Sequence, residues 1–295
     1  MYRNTFLSVM FLACCFNGSL CAQSDAQIYE RTCDAKTYPF SDPSPVATPN
    51  NSYYPYFRFD GFSMQAQEKQ WKMVVLENDY VKLTVTPEIG GKIWGAIDKV
   101  NNKEFVYTNG VVKFRDVAMR GPWTSGGIEF NFGIIGHAPT CSTPIDYLTK
   151  KNVDGSVSCH IFSYEWITRT VWNVEINLPK DKAYFTTHTT WFNQSSIDQP
   201  YYQWMNAGYA TKTGTRFYYP GTYSIGHSGD LHPYPIDEEG RDVSWYDNNN
   251  FGASKSLHII GDYNDYFGIY WHNEKHGSAH YSNYDEKLGM KFYLW

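Results

Sequence analysis

The stretch from Arg120 to His137 holds the densest set of side chains in the chain that could do chemistry. Gly126 and Gly127 let the backbone turn or approach a ligand closely. Glu129 and Asn131 then share one face of a short strand whose other face carries Ile128 and Phe130. A carboxylate, a carboxamide, the Trp123 indole and the Arg120 guanidinium beside a glycine turn form a polyol-binding set. The polar groups meet hydroxyls, and the indole face meets the C–H side of a sugar ring. The plainer reading is a solvent-facing glutamate beside a glycine bulge. His137 follows Glu129 by eight residues, and its unperturbed pKa near neutrality suits a general acid/base partnership. A hydrogen-bonded loop histidine is the competing reading.

Further polar loops extend the candidate list. His227, Asp230 and His232 form a run of ligand-type residues, but the spacing matches no established metal pattern. A sugar-lining role is the stronger expectation for His227. His272, His276 and His280 have helical spacing, yet Gly277 and the flanking aromatics favour a hairpin in which His272 and His280 approach across strands. Asn206, His227, Trp245 and His280 join Arg120, Trp123 and Asn131 as substrate-contacting candidates, with Glu129 and His137 as the catalytic pair. Asp237, Glu238 and Glu239 beside Gly240 read as a solvated turn. The chain has no nucleophile elbow, phosphate loop, zincin motif or dinucleotide fingerprint. No metal or cofactor is expected.

These residues must be positioned by strands. Val81, Leu83 and Val85 alternate with Lys82, Thr84 and Thr86; the same period of two runs through Trp172–Leu178 and Leu288–Leu294. Turn residues separate the runs at Asn78-Asp79, Gly90-Gly91, Pro179-Lys180-Asp181 and Lys275-His276-Gly277. No window of about 12 residues has helical periodicity, and the one short helix expected lies near Pro144–Lys150. The fold class is all-β, a large antiparallel sandwich with long loops.

Residues 1–22 read as a secretory signal, with Arg3, an apolar run from Phe6 to Phe16 and a cut after Ala22. The run is too short for a membrane span. A lipid on Cys14 is the alternative to soluble export. Residues 23–60 carry Pro39, Pro43, Pro45, Pro49 and Pro55 and read as a leader or extended arm, leaving 61–295 as the sandwich domain. The last residues, Lys291–Trp295, read as mid-strand, which suggests a domain short of its final strands. Cys33, Cys141 and Cys159 remain after the signal; a Cys141–Cys159 disulfide and three free thiols are both open. The net charge of −5 without a basic run argues against nucleic-acid or anionic-membrane partners. Aromatic residues make up 18% of the chain, enough for a sizeable core.

Several segments carry a family resemblance. Glu77–Val85, then Pro87–Ile93 with its double glycine, then Asn102–Tyr107 resemble the opening of galactose-mutarotase-like domains. Gly126–Ile128 resembles their glycine-rich sugar-site strand, and Thr168–Tyr209 their central strands. Trp123–Phe132 and Gly136–Thr140 resemble a branch at the front of large exported bacterial proteins, often followed by tetratricopeptide repeats. The resemblance implies a mutarotase-like supersandwich and a carbohydrate partner, an oligo- or polysaccharide. Two departures point away from simple aldose 1-epimerisation: Trp204–Tyr209 lacks the family's histidine, and its C-terminal glutamate has no counterpart here. The expectation is an exported carbohydrate-active domain that binds and hydrolyses glycans. Hydrolysis needs a second carboxylate, with Asp230 as one candidate. The rival is a non-catalytic binding module of a larger protein.

Overall fold

A computed structural model describes residues 24–39, 63–116, 122–133, 137–166, 168–263, 265–286 and 289–294. The signal segment, Cys14, the proline-rich residues 40–60, Arg120 and Gly136 lie outside the described residues. Within them the protein is an all-β sandwich whose only helical turns are short 3-10 segments. Among the described residues, no helix is long and apolar enough to cross a membrane.

The largest sheet runs in the order Gln203–Ala207, Ile128–Phe132, Lys92–Asp98, Val81–Thr86, Gln67–Glu77, Gln27–Tyr38 and Val112–Lys113, with Lys103–Val106 also paired to Lys92–Asp98. A four-stranded sheet, Asp146–Lys151, Val157–Glu165, Thr170–Leu178 and Thr186–Asn193, faces it. The two sheets bury one core that joins Val74, Leu83, Ile93, Ile128, Phe130 and Phe132 to Cys159, Ile161, Trp172, Val174 and Ile176. Trp172 stacks on Phe132 with ring centroids 4.5 Å apart. Thr170–Leu178 alternates strictly between buried and half-buried positions, as its period-two pattern predicts.

The far face of the large sheet is covered as well. Trp71, Met73, Ile89, Trp94, Val112 and Phe114 form a second apolar cluster there. The strand Ile128–Phe132 is buried at every position, with the 3-10 turn Pro139–Ser142 packed against it, so side chains on both of its faces leave solvent. Arg115–Asp116 pairs separately with Pro122–Trp123, and a third core joins two further sheets. It includes Phe217, Ile259, Ile269, Trp271, Phe292 and Leu294, from one sheet of Thr215–Tyr218, Tyr266–Trp271 and His276–Tyr281 and another of Leu231–Pro233, Tyr223–Ile225, Lys255–Ile260 and Met290–Leu294.

Two local expectations change, and one left open is settled. Residues 146–151 are a strand, not a helix. Asp154-Gly155 forms the turn of a hairpin, with Gly155 at φ 82° and Asn152 N–H donating to Ser156 O, and this pairs Asp146–Lys151 with Val157–Phe162. Gln27–Tyr38, expected within the arm, is a sheet strand paired along eleven positions with Gln67–Glu77. It carries no proline, because the prolines begin at Pro39. Cys141 and Cys159 are both buried free thiols, each in its own setting: one follows the turn at Pro139, the other lies mid-strand in the main core.

Candidate functional site

On the far face of the large sheet the period of two aligns polar side chains from three strands. Glu129 pairs across strands with Asn206, and Asn131 with Trp204, so these four side chains share the face opposite Ile128, Phe130 and Met205. Ile93 pairs with Ile128 on the core side, which turns its neighbours Lys92 and Trp94 to the Glu129 face. Gly127 makes the entry to this strand possible. Its φ is 65°, and a Cβ there would stand 2.3 Å from the Ile93 carbonyl oxygen, a contact that only glycine avoids.

Glu129 is 1% exposed and is the acceptor at the centre of the cluster. His137 Nδ1 donates to its Oε1, joined by Asn131 Nδ2 at 3.1 Å and Asn206 Nδ2 at 3.4 Å. Trp123 Nε1 donates to Oε2 at 2.7 Å, and Lys92 Nζ lies 4.0 Å from the same oxygen. Burial by itself would raise the Glu129 carboxyl, but the His137 bond and charge, the Lys92 charge and the Asn131 bond hold it below its ordinary value. Burial pushes the Lys92 ammonium down, against the raising charge of Glu129. Lys92 is further held by the carbonyl and hydroxyl of Thr124. Asn131 Oδ1 accepts Ala138 N–H at 2.8 Å and so fixes the backbone beside His137.

The cluster has a floor and a rim. Lys92, Thr124, Glu129 and Asn131 are fully buried, whereas Trp123, His137, Trp204 and Asn206 are partly exposed. The His137 side chain is 23% exposed and sits between two indoles, with ring centroids 5.8 Å from Trp123 and 4.8 Å from Trp204. With its Nδ1–H donated to the carboxylate, the neutral tautomer of the imidazole presents Nε2 as an acceptor. Such a dyad can take a proton from a ligand hydroxyl, or return one, at the partly exposed rim.

The residues expected from sequence divide into two groups. Glu129, His137, Trp123, Asn131 and Asn206 meet in one centre. His227, Trp245 and His280 lie on the strands and loops of the third core. His227 Nε2 meets Ser256 Oγ at 2.9 Å, Trp245 packs on Arg216 and His272, and His280 stacks on Phe267. The hairpin expected around His276 forms, but His280 faces Phe267 and His276 faces Trp271; His272 occupies the turn and does not oppose His280. Asp230 ends the turn before Leu231–Pro233 and contacts neither Glu129 nor His137. Among the described residues, no three His, Cys, Asp or Glu side chains converge as metal ligands.

Lys92, Thr124 and Trp204 are the members that sequence reasoning missed. Lys92 had a usable signal: a lone cation in the apolar run Ile89–Ile97 needs a buried partner.

A family model for a domain of unknown function (DUF5107) matches residues 48–295. A tetratricopeptide-repeat (TPR)-domain containing protein from Parabacteroides distasonis has a similar fold, with a TM-score of 0.81 at 22% identity over 92% of this chain and 47% of that one. This chain thus spans about half the length of that relative. The Slr1438 protein of Synechocystis sp. PCC 6803 aligns at a TM-score of 0.49 and 11% identity over 67% of this chain and 72% of its own, a likeness too loose to carry an argument.

Proposed function

The chain belongs to the DUF5107 family, and on the geometry of its Glu129 centre we propose that it is a carbohydrate-binding domain in which His137 exchanges a proton with the bound sugar. The observation that carries this reading is the His137 imidazole, held by a buried carboxylate and flanked at a partly exposed rim by Trp123 and Trp204. Indole faces take the C–H side of a pyranose, and Asn206 at the rim serves a hydroxyl. Glu129 itself is enclosed and accepts four side-chain donors, so it orients His137 and does not touch the sugar. Glycan hydrolysis here would take His137 as the group that protonates the leaving oxygen, and it would still need a carboxylate to activate the attacking water.

The mutarotase-like sandwich is part of the same proposal. It is supported by the Gly90-Gly91 turn, which delivers Lys92 to the floor of the centre. Export as a periplasmic or secreted protein, and work beside helical repeats as in the TPR-domain containing relative, complete the reading. A second reading, a binding module without turnover, is favoured by one observation: among the described residues no other carboxylate contacts Glu129 or His137.

The test is a panel of neutral oligosaccharides titrated against the full chain by tryptophan fluorescence, with released reducing ends measured in parallel. His137→Gln is expected to keep binding and to lower release by about 10²–10⁴-fold. Unchanged release by that variant would remove the dyad from the reaction. Binding with no release by the native protein would select the module reading, and no binding by any saccharide would defeat both.

A further inference from the structure

On the outer face of the strands Thr215–Tyr218, Tyr266–Trp271 and His276–Tyr281, well separated in sequence from the Glu129 strand, an arginine stands without a counter-charge. Arg216 alternates with the buried Thr215 and Phe217 and therefore points away from the third core. Its cross-strand neighbour is Tyr270 on one side, and an isolated bridge sets Trp245 on the other. The guanidinium carbon lies 5.2 Å from the Tyr218 ring centroid and 5.1 Å from that of Trp245. His272 completes the patch, 4.9 Å from both the Trp245 and Tyr270 rings, with its Nε2 at 3.1 Å from Tyr218 Oη. Gly277 follows Tyr270 in the row; a Cβ there would meet Tyr270 Cδ2 at 2.7 Å, so the glycine leaves the tyrosine ring its place.

Two features set this arginine apart from a solvated surface charge. Its Nε is buried and has no hydrogen-bond partner, and no ion pair forms on it among the described residues. The acidic groups of the neighbouring loop have other partners: Asp242 Oδ1 accepts Ser244 N–H and Oγ–H, and Asp247 Oδ2 accepts Gly214 N–H. A half-buried guanidinium set beside two rings has lost hydration and gained no anion. It is preorganised to take one, since its planar donors match an oxyanion and little side-chain freedom remains to be lost. The partly exposed Trp245 and Tyr218 offer ring faces beside it for the apolar side of a pyranose.

We propose that Arg216, Tyr218, Trp245, Tyr270 and His272 form a second binding site, specific for a sugar ring bearing an anionic substituent. Arg216 takes the anionic group, and the aromatic side chains take the ring. The sugar part of this assignment rests on the carbohydrate reading above, whereas the anionic part rests on Arg216 alone.

The test uses the full chain and calorimetric titration with four probes: trigalacturonate, galactose 6-sulfate, glucose 6-phosphate and neutral galactotriose. At least one of the three anionic probes is expected to bind, with affinity falling as salt rises, and the comparison among them identifies the anionic group. Arg216→Met keeps the aliphatic stem and removes the charge; it should weaken that binding by about 10–100-fold. Arg216→Lys should restore it only in part, because an ammonium lacks the planar fork. His137→Gln should leave it unchanged, so failure at the Glu129 centre and failure here are read separately. Equal affinity of native protein and a folded Arg216→Met variant for every anionic probe would overturn the proposal. So would absence of binding by all three, or equal competition by acetate and sulfate.

Discussion

Replacing Glu129 by glutamine tests the charge organisation of the centre most directly. The carboxylate accepts His137, Asn131 and Asn206 on Oε1, and Trp123 on Oε2, where Lys92 lies 4.0 Å away. Glutamine can keep one oxygen facing the first three donors. Its amide nitrogen then faces Trp123 N–H and the Lys92 ammonium, donor against donor. Two unit charges 4 Å apart interact by about 4 kcal/mol at an effective dielectric of ~20, and both side chains here are only 2% exposed. Removing one partner of such a buried pair costs about 3–5 kcal/mol. Thr124 O and Oγ1 still hold Lys92, and loss of its proton offers a partial escape. Urea unfolding of Glu129→Gln should therefore show a loss of ~3–5 kcal/mol with little change in slope. The thermal midpoint should fall by roughly 6–20 °C. Lys92→Met combined with Glu129→Gln should be less damaging than the two effects added, by at least ~1 kcal/mol, because no charge is left unpaired. A single-variant loss below ~1 kcal/mol, or strict additivity in the double variant, would refute this account of the centre.

Two further outcomes follow from groups elsewhere in the fold. In Glu77, Asp98 and Glu129 burial pushes the carboxyl up, and donated hydrogen bonds outweigh it, so each sits below its ordinary value. The unfolded chain then binds more protons, and the stability these groups give is complete above about pH 4.5 and is lost as pH falls through the depressed values. Acid unfolding followed by circular dichroism should begin in that window, and Glu77→Gln, which removes the partner of Lys99 at 2.7 Å, should flatten it; an unaltered pH slope would contradict the assignment. Burial pushes the Cys159 thiol up to about 12 and raises that of Cys141 as well. Peptide-level iodoacetamide labelling at pH 8 should therefore modify the partly exposed Cys33 before Cys141 and Cys159, which should react only in denaturant; rapid labelling of Cys159 in native protein would be the contrary result.

Much of the candidate site was legible in the sequence because its central contacts are local. Glu129 and Asn131 fall on one strand face by period alone, and His137 needs only a short loop to reach back. Gly127 marks the tight approach at the strand's start. Other readings failed where a local pattern met a competing long-range or turn constraint. The Asp154-Gly155 turn was the stronger signal for residues 146–151, and hairpin pairing overrode the short helix expected there. The proline density begins at Pro39 and said nothing of the twelve residues before it, which find a partner in Gln67–Glu77. Trp245 and His280 were chosen by composition, and composition carries no address.

The sequence by itself determined the all-β class, the faces of the main strands and the nucleus of the polar centre. These depend on side-chain alternation and turn chemistry, which act over a few residues. Tertiary structure alone decided that the Glu129 face is buried: Lys92 and Asn206 reach it from other strands, and the 3-10 turn Pro139–Ser142 packs against its strand. It also decided which residues complete the centre. Asn206 lies 77 positions from Glu129 along the chain and reaches it only through the register of two paired strands. Lys92 arrives from a third strand, and its single charge is tolerable in that interior because the carboxylate already stands there.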